Sequence, residues 1–409
     1  MSSPAPTAFS ERTHFAEAVG TPPVAPTDGA VYVHFPYCAS KCPYCDFNSH
    51  VLDHDDDAFA DAICAELGVR APAFDAALNG QPVRSIFFGG GTPSRWAPHA
   101  VARVIQALRT RWGGGEDLEI TLEANPGSVD AARFDAFRAA GVNRFSIGCQ
   151  SFDDRELAWL ERRHDAATGR EAVRRAVATG ARVSLDLMYA LPGQRPDDVR
   201  RSLDVALELG TEHVSAYALT VEPDTVLLRR AQQGRFHPVP DDEVAQHYEA
   251  VTTHLQEAGL LRYEVSNYAR PGAECRHNLI YWLGGSYLGL GPGAHSFLTG
   301  PAGGLRREAI KAPAAYLHHA ARGEFPARFE ETRDGAGCRI DRLVVAFRTR
   351  WGLPETELRD LTAAVDRLER DVLVQRLDGR VRPTARGYRF ADRVALALME
   401  AADGPGISG

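Results

Sequence analysis

Long hydrophobic runs are missing from this chain of 409 residues. No apolar stretch approaches the roughly 20 residues a membrane-spanning helix needs, and the chain does not open on a basic region followed by a hydrophobic one. A cytoplasmic location is therefore expected. Positive charge is in deficit, with 46 Lys and Arg against 54 Asp and Glu and a net charge of -8. That balance argues against broad electrostatic binding to nucleic acid. Cysteines number only 7, too few and too unevenly placed for a disulfide framework. Cys64, Cys149, Cys275 and Cys338 stand apart from one another and read as ordinary buried residues.

The remaining cysteines are concentrated. Cys38, Cys42 and Cys45 fall within eight residues, spaced C-x3-C-x2-C, directly after the extended apolar run 30-35. A structural zinc site takes four ligands, commonly as two C-x2-C pairs or a pair with histidines, and this loop supplies three. A 4Fe-4S cluster is commonly held by four thiolates. A loop offering three would leave one iron open to a small chelating molecule. Three structural or redox cysteines are the plainer alternative.

Residues 1 to about 29 are rich in Pro, Ala, Ser and Thr, a composition that buries little apolar area and reads as a disordered leader. From Ala30 short apolar runs at 30-35, 84-89, 118-123, 143-148, 182-188 and 213-219 alternate with helical patterns at 56-69, 97-111, 129-140, 169-179 and 196-209. Gly141, Gly180 and Gly210 suit left-handed helix stops. Six strands with intervening helices predict an α/β fold with right-handed crossovers and a parallel sheet, either open and doubly wound or an incomplete barrel. The repeat fades into a glycine- and aromatic-rich lid or binding wall up to about 300. Charged helical patterns at 309-322, 339-349, 354-361 and 363-372, a hairpin near 377-384 and a helix at 388-401 then predict a small winged-helix-like α+β domain over 301-409. The acidic chain favours protein packing over DNA binding for that module.

Sites in parallel α/β architectures collect at the carboxyl ends of strands. The cysteine loop follows the first strand, Gly89-Gly90-Gly91-Thr92-Pro93 the second, and Gln150 the fourth. Glu123 ends the third, and Asp186 lies late in the fifth. Three successive glycines let the backbone approach a ligand closely, or simply make a tight turn. Carboxylates can accept from hydroxyl or ammonium groups, and an arginine can fork onto a carboxylate.

Taken together, Tyr32-x-His34-x-Pro36-x-Cys38-x3-Cys42-x2-Cys45, Gly89 to Pro93, Leu122 to Pro126, Ile147 to Phe152 and Leu185 to Gln194 resemble the radical S-adenosylmethionine (SAM) superfamily. Their order is similar to that of its oxygen-independent coproporphyrinogen III oxidase-like group. The resemblance spans nearly the whole chain from about residue 30. It implies an incomplete (β/α)6 TIM-like barrel over 30-300, with a 4Fe-4S cluster on Cys38, Cys42 and Cys45. It further implies SAM contacts from Tyr32, Gly90, Gly91, Thr92, Glu123, Gln150, Arg162 and Asp186. The decarboxylating oxidases of the group carry a fourth cysteine where this chain has Phe47. The HemW branch, read as haem chaperones, lacks it and carries an H-N-x-x-Y-W motif, present here as His277-Asn278-Leu279-Ile280-Tyr281-Trp282.

The resemblance to that branch implies a radical SAM haem chaperone of porphyrin metabolism. Such a protein would pass haem to an acceptor respiratory haem protein, as a monomer or homodimer in transient contact with the membrane. His277 is the expected haem ligand, beside Cys275, Arg276, Tyr281 and Trp282, although His277-Asn278 would also serve as a structural turn. SAM cleavage is left open. The alternative is oxidative decarboxylation of coproporphyrinogen III, which the missing cysteine disfavours.

Overall fold

Apolar runs bounded by turn residues form the central strands of the computed structural model, which describes residues 20-115, 117-300 and 303-403. The leader expected over 1-29 lies outside the described residues up to position 19. The strands are β1 (Gly29–Phe35), β2 (Val83–Gly90), β3 (Glu119–Ala124), β4 (Arg144–Gln150), β5 (Arg182–Tyr189) and β6 (His213–Ala218). Each pairs in parallel with the next. Most residues of β1, β3 and β4 are buried whichever face they point to, the pattern of strands covered on both sides. The crossovers carry α1 (Asp56–Leu78), α2 (Pro98–Trp112), α3 (Ala131–Ala140), α4 (Asp154–Trp159), α5 (Ala166–Ala178) and α6 (Pro196–Glu208).

Local chemistry sets several helix ends. The Asp55, Asp130 and Asp165 carboxylates accept from backbone N–H groups in the first turns of α1, α3 and α5. Gly141 closes α3 with φ of 109°, a left-handed value that costs a glycine nothing. The pattern for α1 breaks near residue 69, yet the helix runs through Pro72. Burial of Ala71, Phe74 and Leu78 offsets the lost backbone hydrogen bond.

Further strands extend the sheet at both ends: β7 (Leu261–Arg262), β8 (Asn267–Ala269), β9 (Tyr287–Leu290), β10 (His295–Gly300), β11 (Gly303–Ala309) and β12 (Ala327–Arg333). The order is β12-β11-β10-β9-β1-β2-β3-β4-β5-β6-β8-β7. β9 joins β1 in parallel, and the outer strands are antiparallel. The sheet is open, with β12 and β7 as its edges, so the architecture is an incomplete barrel. The helix expected at 309-322 is confined to Pro313–Ala320 and is flanked by β11 and β12. β12 is an edge strand, mostly exposed and rich in charge (ARFEETR), so it lacks the alternation that marks a half-buried strand.

Two compact units result, one of Pro23–Tyr281 with Gly285–Cys338, the other containing Trp282–Gly284 and the chain from Arg339 onward. The second unit has its own core, with Leu343, Phe347, Leu368 and Val394 buried in it. Its strands Leu353–Pro354, Val374–Leu377 and Arg380–Pro383 form a small antiparallel sheet. The hairpin turns on Asp378 and Gly379 at φ of 52° and 70°, the doubly positive signature of an Asp-Gly type I′ turn. Among the described residues no helix is long and apolar enough to cross a membrane.

Candidate cluster and cofactor site

The chain leaves β1 at Phe35 and doubles back on itself. Cys38 N–H donates to the His50 carbonyl at 2.9 Å, and His50 N–H donates to Pro36 at 2.7 Å, closing the cysteine loop at its base. Lys41 Nζ donates to the Phe47 carbonyl at 3.1 Å across the loop. Asn48 Nδ2 donates to the Pro292 and Lys311 carbonyls at 2.9 and 3.0 Å, which ties the returning arm to the β9–β11 region.

The glycine run at the end of β2 holds this loop in place. Gly91 N–H donates to Phe35 at 2.7 Å and Thr92 N–H to Tyr37 at 3.0 Å. A Cβ on Gly91 would stand 2.8 Å from the Pro36 and Tyr37 backbones, and one on Gly90 would meet the His34 ring at 2.5 Å. The space these glycines leave is thus filled by the protein's own chain. Close approach is their role, as the sequence suggests, but it is approach to the cysteine loop.

A cavity of about 570 Å³ opens at the carboxyl ends of β1 to β5. It brings together Cys38, Cys42, Cys45, Gly90, Gly91, Thr92, Glu123, Gln150, Arg162 and Asp186, ten of the twelve residues expected from the sequence. Each thiol has a hydrogen-bonding neighbour. Thr92 Oγ1 donates to Cys38 Sγ at 3.4 Å, Arg162 Nη1 lies 3.5 Å from Cys42 Sγ, and Ser49 Oγ lies 3.9 Å from Cys45 Sγ. Burial pushes the Cys38 and Cys45 thiols up from their ordinary value. Among the described residues no three His, Cys, Asp or Glu side chains converge on a single-ion site, so the three thiols are neighbours around one cavity and not a preformed chelate.

The opposite wall is acidic. Glu123 accepts from Gly90 N–H at 3.1 Å. Burial, then repulsion from Asp186, raises its carboxyl to about 8. Burial also raises Asp186, against the opposing pull of the Ser215 hydroxyl, the Arg144 charge and the Ser146 hydroxyl. Two half-buried carboxylates facing one cavity suit a cationic ligand. Arg162 Nη2 donates to the Gly148 carbonyl at 2.7 Å, while its buried Nε has no partner. That unspent donor suits a carboxylate. A ligand carrying both charges, as SAM does, fits this wall, and the thiol cluster fits iron.

Backbone strain gathers at the same rim. Gln150 has φ of 68° and Ala190 has 57°, and the pairing of β4 with β5 slips between Ile147 and Gln150. Such left-handed non-glycine residues are costly and cluster where geometry serves a ligand. Residues that sequence reasoning did not single out include Ser146, bonded to Asp186 at 3.2 Å, and Arg133, Arg95 and Asn125 on the cavity wall. Ser146 is a buried strand residue whose neighbour on β5 is distant in sequence, so no local signal marks it.

Two expected residues lie elsewhere. Tyr32 donates or accepts at His34 Nδ1 (3.0 Å) and faces a second cavity, of about 400 Å³, which meets the first at Gly90, Glu123 and Phe47. His277 lines neither cavity. It is 2% exposed, with Nδ1 at 2.9 Å from Ser85 Oγ and Nε2 at 2.7 Å from Tyr281 Oη. Both ring nitrogens are committed, so the arrangement is that of a structural histidine. Cys275 is buried, with its Sγ 3.5 Å from Glu119 Oε1.

Residues 32-206 match the model of the radical SAM superfamily. The fold has a solved counterpart in coproporphyrinogen III oxidase (HemN) from Escherichia coli, with a TM-score of 0.74 at 21% identity over 91% of this chain and 90% of that one. Open sheet, strand-end cavity and cysteine loop thus define a radical SAM protein. Heme chaperone HemW of Mycobacterium tuberculosis is 38% identical over 392 residues, covering 93% of this chain and 98% of that protein. Heme chaperone HemW of Escherichia coli is also 38% identical, over 88% and 91% of the two chains. The chain belongs to the HemW family.

Proposed function

We propose that this protein is a haem chaperone that carries a 4Fe-4S cluster on Cys38, Cys42 and Cys45, binds SAM beside it, and passes haem to a respiratory haem protein from the cytoplasmic side. Membership of the HemW family supports the haem role. The observation that carries the cofactor reading is one cavity lined by three thiols, a half-buried carboxylate pair and Arg162 with an unpartnered Nε. When bound, the cluster and SAM supply one-electron reductive chemistry.

The chain's own residues account for binding and orientation. Thr92, Ser49 and Arg162 flank the sulfurs and offer them hydrogen-bond partners. Glu123 and Asp186 attract the cationic part of SAM, and Arg162 its carboxylate. Tyr32 acts indirectly in this reading, by holding His34 under Gly90. Gly91 and Thr92 keep the loop against β2, so that thiols and carboxylates share one cavity.

Anaerobic cluster reconstitution followed by parallel haem titration and SAM-cleavage assays tests the reading. A haem-induced Soret shift and an iron content lost on Cys42→Ala are expected. No Soret shift would overturn the haem reading, and accumulation of protoporphyrinogen from coproporphyrinogen III would replace it with the oxidase reading.

A further inference from the structure

The second cavity carries an inference that rests on the haem reading. Four rings line it, those of Tyr32, Tyr281, Tyr287 and the exposed Phe47, beside the polar side chains of Asp46, Asn48 and Glu123, and Lys311 and His295 border it too. A haem needs an apolar wall for its face, an axial donor, and cations for its propionates. The first two requirements are met by ring faces and one imidazole, the third by Lys311, whose side chain is 52% exposed with its ammonium 3.3 Å from Glu308.

The donor follows by elimination among the thiols and imidazoles lining the two cavities. The three cysteines belong to the cluster site. His34 has its Nδ1 at 3.0 Å from Tyr32 Oη and its Nε2 at 2.8 Å from the Asn48 carbonyl, so neither nitrogen is free. His295 is different. Its side chain is 64% exposed, and Nε2 stands 3.8 Å from the buried carboxylate of Glu308. At that distance Glu308 attracts the ring without a hydrogen bond, so the imidazole lies beside a carboxylate, as a ligating histidine commonly does, with a ring nitrogen left for the metal.

We infer that His295 is the axial haem ligand, with the macrocycle lying in the second cavity against Phe47 and the tyrosines and a propionate on Lys311. The site is shallow and opens to solvent through residues already exposed. That suits a cargo that must be released to another protein.

The test is ferric haem titration of the full-length, cluster-reconstituted protein, read by Soret absorbance and by the electron paramagnetic resonance of the haem iron. His295 is exposed, so His295→Gly is expected to keep the fold and the cluster, checked by circular dichroism and iron content. It should lose the axial-histidine signature and bind haem about tenfold or more weakly. Added imidazole should restore the signature by filling the vacated space. A variant that keeps the wild-type haem spectrum, or a loss that imidazole does not restore, overturns the assignment of His295. Absence of haem binding by the wild-type protein would instead overturn the haem reading itself, so the two failures are distinguishable.

Discussion

Replacing Glu123 by Gln should move two properties in opposite directions. The carboxyl is raised from 4.5 to about 8 by burial and by Asp186. In the unfolded chain it ionises near its ordinary value, so between the two values the folded state holds a proton that the unfolded state has lost. Folding stability from this group is therefore complete at low pH and falls as pH rises, until it is lost above about 8. At about 1.4 kcal/mol per unit, the ligand-free protein carries a penalty on the order of 5 kcal/mol at about pH 9. Gln keeps an oxygen to accept from Gly90 N–H but carries no charge. Glu123→Gln should thus raise the denaturation midpoint at about pH 9, with a much smaller gain at about pH 6. The same substitution removes a carboxylate facing the cationic part of SAM, so affinity should fall about tenfold or more. Wild-type binding should release a proton, seen by titration calorimetry in buffers of different ionisation enthalpy, and tighten between about pH 6 and 8. A variant less stable than wild type at about pH 9, or one that binds SAM equally tightly, would refute the reasoning.

Gly91→Ala should lower the iron and sulfide content after reconstitution severalfold, because its Cβ would meet the Pro36 and Tyr37 backbones at 2.8 Å and push the cysteine loop away. Arg162→Ala should weaken SAM binding about tenfold and cost roughly 1–2 kcal/mol of stability, since the Gly148 carbonyl loses its donor; calorimetry and denaturant titration check the two effects. In the C-terminal unit, Gly379→Val at φ of 70° should destabilise the hairpin by about 1–2 kcal/mol, measured as a lower midpoint. Phe47→Ser should leave stability within about 0.5 kcal/mol, because the ring is 60% exposed, yet weaken haem binding measurably in the Soret titration.

The strand-end residues were legible because each falls at the end of an apolar run, and a parallel sheet carries all those ends to one rim. Glu123 ends its run, and the structure sets it against Asp186 in the cavity wall. The glycine run was legible as a close approach but not as to what approaches, because Pro36 and Tyr37 are remote in sequence and only the β1–β2 register sets Phe35 against Gly90. His277 shows the same limit. Its partner Ser85 is 192 positions away, so nothing local separates a buried, doubly bonded imidazole from a ligand. Tyr32 shares a strand face with His34 by simple alternation, and that face leads to the second cavity.

Phe47 joins the two lines of reasoning. Packing places no demand on it, since a ring 60% exposed gains little from the core. The neighbouring Val51 and Leu52 are 56% and 51% exposed, so the returning arm of the cysteine loop shows apolar surface where solvation favours polar residues. An apolar cluster left in water points to something that covers it. Phe47 borders both the thiol-lined cavity and the aromatic one, so a flat apolar ligand in the second cavity would shield this ring and lie next to the cluster site. Where the related oxidases carry a fourth cysteine, this chain presents a ring face. A thiol there would add a ligand or a redox group, whereas a phenyl ring can do neither and offers only apolar surface to a ligand in the second cavity.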